Sequence, residues 1–148
     1  MNLRVKIKRV KDVELPRYAK PGDSGFDLVA AEDTIICPGE TKVVPTGLAF
    51  EISPGYELQV RPRSGMTRNT KLRVVLGTVD SGYRGEVGVL VDNTEIPKAT
   101  NIKAHVIEKG TRIAQGVIAP VITAHFIEAN ELSDSERGAG GFGSTGTK

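Results

Sequence analysis

Arg61-Pro62-Arg63-Ser64-Gly65 combines side chains that suit an anionic ligand. An arginine can bind a phosphate through two parallel hydrogen bonds. The Ser64 hydroxyl and the Gly65 amide can donate to a further oxygen. A solvated strand end would have the same composition, so these residues alone favour neither interpretation.

A carboxylate and an aromatic ring lie close together in the segment 77–88, Gly-Thr-Val-Asp-Ser-Gly-Tyr-Arg-Gly-Glu-Val-Gly. A carboxylate near an anionic substrate is useful as a general base or through a metal ion, and Asp80 is the candidate. Tyr83 offers a partner contact or a platform for a flat ligand. The turn residues are ordinary for a β-hairpin, and we expect its strands at 74–79 and 86–91.

Three other segments are weaker candidates. Asp23 and Asp27 surround a glycine turn, which is ordinary at the start of a strand. Gln115 could donate to a phosphate oxygen, whereas Arg112 should point to the opposite face of an ideal strand, so we expect the two not to share a role. The glycine-rich segment 137–148 could cradle phosphates with its exposed amides, and a disordered tail is the alternative.

Composition limits the classes of protein. The 148 residues suit one domain, which can bury a core without a disulfide or metal. One cysteine and two histidines, without paired metal-ligand spacing, argue against a disulfide framework and a zinc site.

A net charge of +2 argues against a nucleic-acid binder. Because the sequence has neither a signal-like apolar run nor a membrane-length one, we expect a soluble cytoplasmic protein without a membrane partner.

Alternation of apolar and polar residues with a period of two dominates the chain and predicts strands with one buried face. The inward-facing residues are expected to be Leu3, Val5 and Ile7; Tyr56, Leu58 and Val60; and Ile102, Ala104 and Val106. Turn residues separate these runs, and only a short helical turn is expected, at 66–71. The pattern predicts an all-β sandwich or barrel. The segment 137–148 should be a flexible arm because it is rich in glycine.

Together and in this order, the five segments resemble the motifs of the homotrimeric dUTPase family, from Pro21 to Lys148. The resemblance implies a jelly-roll-like β domain at 1–136 and a C-terminal arm at 137–148 that closes over a neighbouring active site. It also implies a homotrimer with shared sites, and hydrolysis of dUTP to dUMP and pyrophosphate with Mg²⁺. This reaction lowers dUTP and supplies dUMP for thymidylate synthesis.

The resemblance also implies roles for individual residues. Asp80 is expected to activate the water that attacks the α-phosphorus, and Tyr83 to pack under the deoxyribose. Asp27 is expected to meet the metal through water, with Mg²⁺ held mainly by the triphosphate. The phosphate ligands are expected to be Arg63, Ser64, Gly65 and Gln115. The uracil ligands are expected to be the backbone of Gly77, Thr78, Val79 and Gly88. The arm is expected to contribute Arg137, Phe142, Gly143 and Ser144, with Phe142 stacked on uracil and Arg137 reaching the phosphates.

The sequence departs from the common family pattern at several positions, and, separately, two alternatives to the resemblance stay open. Many members carry an acidic residue in place of Gly82, and many bacterial members carry an asparagine in place of Val74. One alternative is a dCTP deaminase-related enzyme, whose family motif resembles Arg-Ser-Ser with a further arginine, whereas Gly65 and Met66 follow Ser64 here. The other is a dUTPase-like regulatory module that binds a partner without turnover.

Overall fold

The computed structural model describes residues 3–98, 103–143 and 146. The described residues form ten strands and one short helix. The strands are β1 (Lys6–Arg9), β2 (Phe26–Val29), β3 (Thr34–Ile36), β4 (Thr41–Glu51), β5 (Tyr56–Arg61), β6 (Leu72–Val74), β7 (Gly77–Val79), β8 (Glu86–Asn93), β9 (His105–Ile107) and β10 (Arg112–Pro120), and the helix is α1 (Ser64–Asn69). The expected single helical turn is confirmed, although it begins earlier than predicted.

The strands form two four-stranded antiparallel sheets and one two-stranded ribbon. The first sheet has the order β1-β4-β8-β6, the second β2-β10-β5-β7, and the ribbon pairs β3 with β9. Burial in β8 alternates strictly from Val87 to Asn93, which is the pattern of a strand with one face on a core. Buried side chains from both four-stranded sheets join one cluster. The prediction of an all-β sandwich is confirmed.

The predicted inward face of β9 is wrong by one residue. Val106 is exposed and Ile107 is buried, so Ile107 and not Val106 reaches the core. Val106 pairs with Ile35, which is also exposed, while Ile36 is buried beside it. Because apolar residues occupy both faces of this ribbon, alternation alone does not fix its register.

The sandwich ends at β10. The Val121 amide donates to the Gly55 carbonyl oxygen at 2.8 Å, and the side chains of residues 122–139 are exposed. The boundary between residues 136 and 137 stays a prediction. None of the described helical segments is long and apolar enough to cross a membrane.

Candidate active site

One end of the second sheet brings three of the predicted segments together. Gln115 on β10 pairs with Asp27 on β2 and with Arg61 on β5. The chain leaves β5 at Arg61, and Arg63 lies at the same end, immediately before α1. A cavity of about 430 Å³ lies there, called the Arg63 cavity below. Its lining residues are Ala19, Asp23, Ser24, Gly25, Asp27, Arg63, Ser64, Gly65, Arg112 and Gln115.

Asp27 lies between two arginines in the Arg63 cavity. Its Oδ1 is 3.0 Å from Arg63 Nε, and its Oδ2 is 3.8 Å from Arg112 Nε. Arg63 Nη1 also donates to the Arg112 carbonyl oxygen at 3.3 Å. The contact with Asp27 is an ion pair, and the hydrogen bond to Arg112 uses one of the five N–H donors of the Arg63 guanidinium, so donors remain for an anion. The carboxylate therefore orients Arg63 without saturating it.

The expectation that Arg112 and Gln115 point apart is wrong, because both line the Arg63 cavity. The pairing of β10 with β2 shifts register between Arg112 and Ala114, which marks an irregularity of the β-bulge type. Such an irregularity reverses the side-chain alternation and can turn a side chain towards a site. Adjacent Ile113 and Ala114 are both fully buried, which strict alternation would not allow. These two adjacent apolar residues are the signal in the sequence that could have predicted that Arg112 lies on the same face as Gln115.

Contacts on both sides fix the Gln115 side chain. Its Nε2 donates to the Pro62 carbonyl oxygen at 3.1 Å, and the same amide nitrogen carries a second donor. On the other side it packs on Gly25, where an added Cβ would lie 2.7 Å from Gln115 Oε1. A glycine at position 25 is therefore required for this placement of the amide.

The predicted hairpin strand at 74–79 is wrong, because this segment divides between the two sheets. Leu72–Val74 pairs with β8 as expected, and the Val75 amide still donates to the Leu90 carbonyl oxygen at 2.9 Å. Gly77–Val79 instead pairs with β5 in the second sheet. Gly77 lies against Val60, whereas Gly88 pairs with Pro45 in the first sheet. The expected uracil ligands Gly77, Thr78 and Val79 thus lie in the second sheet, whereas Gly88 lies in the first.

The loop formed by residues 80–85, called the 80–85 loop, carries Asp80 and Tyr83. The Tyr83 amide donates to the Asp80 carbonyl oxygen at 3.1 Å, which closes a turn, and the side chain of Asp80 is exposed. Tyr83 Oη donates to the Glu86 carbonyl oxygen at 3.0 Å. Open space surrounds the position where Gly82 would carry a Cβ, so the acidic residue of other family members would fit there.

Within one chain, Asp80 lies far from the Arg63 cavity. Val79 pairs with Leu58, three residues before Arg61 on β5, and Asp27 lies two strands beyond β5. Strand geometry places the Cα atoms of Val79 and Asp27 roughly 17 Å apart. The two halves of the predicted site therefore lie apart on the subunit surface.

The described part of the arm has few contacts outside itself. Arg137 Nε donates to the Gly140 carbonyl oxygen at 2.6 Å, within the arm. Phe142 is fully exposed and has a φ of 52°, in the left-handed region that non-glycine residues seldom adopt. Gly143 has a φ of 79°, which glycine allows. Ser144 lies outside the described residues.

A cysteine nucleophile and a metal site made of protein side chains both have little support in the described residues. The hydrogen bond with Glu40 raises the pKa of the Cys37 thiol, and the same contact lowers the pKa of Glu40. Cys37 is therefore a poorer nucleophile at neutral pH than an unperturbed cysteine. Within residues 3–98 and 103–143, no three His, Cys, Asp or Glu side chains form a metal-binding group.

Comparison with known proteins gives one consistent result. A family model described as dUTPase matches residues 11–146. The deoxyuridine 5'-triphosphate nucleotidohydrolase of Nautilia profundicola is 51% identical over 147 residues, which cover 97% of this chain and 99% of the relative.

Two solved structures of phage enzymes are also similar. A mutant dUTPase of Staphylococcus bacteriophage 80alpha, with dUpNHpp, has a TM-score of 0.89 and 29% identity and covers 99% of this chain and 100% of its own. A mutant dUTPase of phage phi11 of S. aureus, in which a structural Mg(II) ion is coordinated, has a TM-score of 0.78 and 25% identity over 87% of this chain and 98% of its own. Since the family match spans nearly all of the sequence, this chain belongs to the dUTPase family.

Proposed function

We propose that this chain hydrolyses dUTP to dUMP and pyrophosphate, with Asp80 activating the water that attacks the α-phosphorus. The observation that carries the proposal is the Arg63 cavity, in which two arginines surround one carboxylate beside Gln115. Phosphoryl transfer asks mainly for positioning and for neutralisation of charge, and this cavity supplies both. In the cytoplasm the reaction would lower dUTP and provide dUMP for thymidylate synthesis.

The triphosphate occupies the Arg63 cavity in this proposal. Arg63 donates to a phosphate with the N–H groups that its two contacts leave available. Ser64, Gly65 and Gln115 line the same cavity and donate to further oxygens. Arg112 adds a second guanidinium, which the sequence alone assigned to the opposite face.

The residues of the Arg63 cavity fit a magnesium ion bound with the substrate. Mg²⁺ is usually held by one or two carboxylates together with phosphate oxygens and water. Asp23 and Asp27 are the two carboxylates that line the cavity. Asp27 would hold the ion through water, because both of its oxygens already face arginines. The ion would neutralise triphosphate charge.

The 80–85 loop and β7 bind the nucleoside in this proposal. The Tyr83 ring packs under the deoxyribose, where a ribose 2′-hydroxyl would clash. The backbone of Gly77, Thr78, Val79 and Gly88 reads the uracil edge. Phe142 stacks on the uracil when the arm closes, and Arg137, Gly143 and Ser144 complete the lid over the phosphates. Closure excludes water other than the nucleophile.

A homotrimer with shared sites would bring the separated halves together. A second copy that supplies Asp80 beside Arg63 would bridge the roughly 17 Å that separate the Cα atoms of Val79 and Asp27 within one chain. Apolar side chains that a subunit contact would cover are exposed on two surfaces. These are Val43, Val75, Leu76 and Leu90 near the outer face of the first sheet, and Ile122, Phe126, Ile127 and Leu132 after β10. Exposed apolar patches of this kind mark association surfaces.

Release of pyrophosphate from dUTP, dTTP, dCTP and UTP tests the proposed reaction. We expect kcat/KM for dUTP to exceed the other values by roughly 100-fold or more. Cytosine presents a different hydrogen-bonding edge to the β7 backbone, the 5-methyl of thymine does not fit against it, and the 2′-hydroxyl of UTP would clash with Tyr83. Ammonia released from dCTP would instead support the deaminase alternative. Binding of dUTP without turnover would support the regulatory module.

A further inference from the structure

Lys11 and Glu86 form a partly buried ion pair just beyond the 80–85 loop. Lys11 Nζ lies 2.7 Å from Glu86 Oε1 and 2.8 Å from Oε2. The side chains are 35% and 29% exposed, which distinguishes the pair from the more exposed pairs of the surface. The Gly47 amide donates to the same carboxylate at 2.8 Å, so Glu86 accepts three short hydrogen bonds.

An irregular part of β4 around Gly47 packs closely against Lys11. Gly47 has a φ of 72°, and an added Cβ would lie 2.9 Å from Val13 Cγ1 and 3.1 Å from Lys11 Cβ. The Val10 amide donates to the Gly47 carbonyl oxygen at 2.8 Å. The register between β4 and β8 shifts here, between Pro45 and Ala49. The segment 10–13 therefore packs closely on an irregular point of β4 and carries Lys11 with it.

Glu86 also supports Tyr83 directly. Tyr83 Oη donates to the Glu86 carbonyl oxygen at 3.0 Å. The phenol lies over Gly85, where any Cβ would overlap Tyr83 Oη. The residue whose backbone holds the phenol is thus the residue whose carboxylate is held by Lys11 and Gly47.

We propose that Lys11 and Glu86 are positioning residues that hold the Tyr83 ring and thereby determine how strongly the site rejects a ribonucleotide. The inference rests on the proposed role of Tyr83 under the deoxyribose. A ring excludes one added hydroxyl only if it cannot retreat, and a displacement near 1 Å changes reactivity by up to about 100-fold. Neither Lys11 nor the Glu86 side chain needs to touch the substrate for this effect.

The selectivity of conservative variants tests the inference. Lys11→Met removes the charge at similar length, and Glu86→Gln keeps an acceptor for Gly47. We expect each to lower the ratio of kcat/KM for dUTP over UTP by about 10-fold, mostly through faster UTP turnover. Lys11→Arg should restore most of the ratio. Lys8→Met, which changes an exposed lysine of β1, is the matched control and should leave the ratio unchanged.

A purely structural role of the pair would lower the melting temperature without changing selectivity. An unchanged dUTP-to-UTP ratio in both Lys11→Met and Glu86→Gln would therefore overturn the inference. The double variant should lose no more selectivity than the worse single one, since both changes break one pair. An additive loss would contradict a shared mechanism.

The Tyr83→Ala variant separates this inference from the proposed function. If Tyr83→Ala loses discrimination while the Lys11 and Glu86 variants retain it, only the inference fails. If Tyr83→Ala itself retains discrimination against UTP, the proposed role of Tyr83 fails, and the inference fails with it.

Discussion

At the scale of single residues, the Arg63 cavity combines two guanidinium groups, two carboxylates and one carboxamide. Asp27, Arg63 and Gln115, which were candidates from the sequence, come from segments far apart in the chain and line this one cavity. Arg112 could not be predicted by alternation, because a register shift in β10 reverses the face on which it lies. A side chain on a regular strand follows from spacing, whereas one beside a bulge does not.

Arg112 should contribute to binding the triphosphate. We expect Arg112→Ala to raise KM for dUTP about 10-fold with a smaller change in kcat, because a charge-assisted hydrogen bond is lost. Its side chain is 66% exposed, so solvent screening limits the effect. Steady-state kinetics measure both constants, with Lys109→Ala as a control outside the cavity. A normal KM for dUTP in Arg112→Ala would show that Arg112 does not bind the triphosphate.

Asp80 should be required for the chemical step and not for binding. We expect Asp80→Asn to bind dUTP but to hydrolyse it at least ~100-fold more slowly, because a general base contributes 10²–10⁴-fold. Calorimetry measures the affinity, and single-turnover kinetics measure the rate. Near-normal turnover in this variant would be incompatible with the role assigned to Asp80.

At the scale of elements, most strands were predictable and their partners were not. The alternation around Leu58 and Val60 placed β5 correctly. The segment 74–79 has the composition of one continuous strand, but it crosses from the first sheet to the second after Val75. Pairing depends on contacts distant in sequence, so local pattern could not reveal this crossing.

The arm should be needed for activity and dispensable for folding. Its residues 137–139 are exposed, and its described hydrogen bonds are local, so deletion of 137–148 should leave the melting temperature unchanged. We expect the truncated protein to lose most of its kcat/KM for dUTP, because the lid over the nucleotide is gone. Phe142→Ala is a smaller change that should lower the same quantity less. Full activity after truncation would show that the arm has no part in the site.

At the scale of the whole molecule, alternation predicted an all-β protein, and the two four-stranded sheets bury one apolar cluster. Composition could not predict that the two halves of the site lie apart in one chain, because this separation depends on which strands pair. The exposed apolar segment after β10, with Ile122, Phe126 and Leu132, is likewise visible as a surface only once the fold is known. These features support an assembly with sites between subunits.

Complementation between two inactive variants tests the central claim most directly. Asp80→Asn lacks the base, and Arg63→Ala lacks a phosphate ligand. In a trimer with shared sites, mixed subunits form some sites that contain both Arg63 and Asp80. We expect co-refolded equal mixtures to recover about a quarter of wild-type dUTP hydrolysis, the statistical share of such sites. A mixture with only the residual activity of its two parents, although mixed assemblies form, would contradict an active site shared between chains.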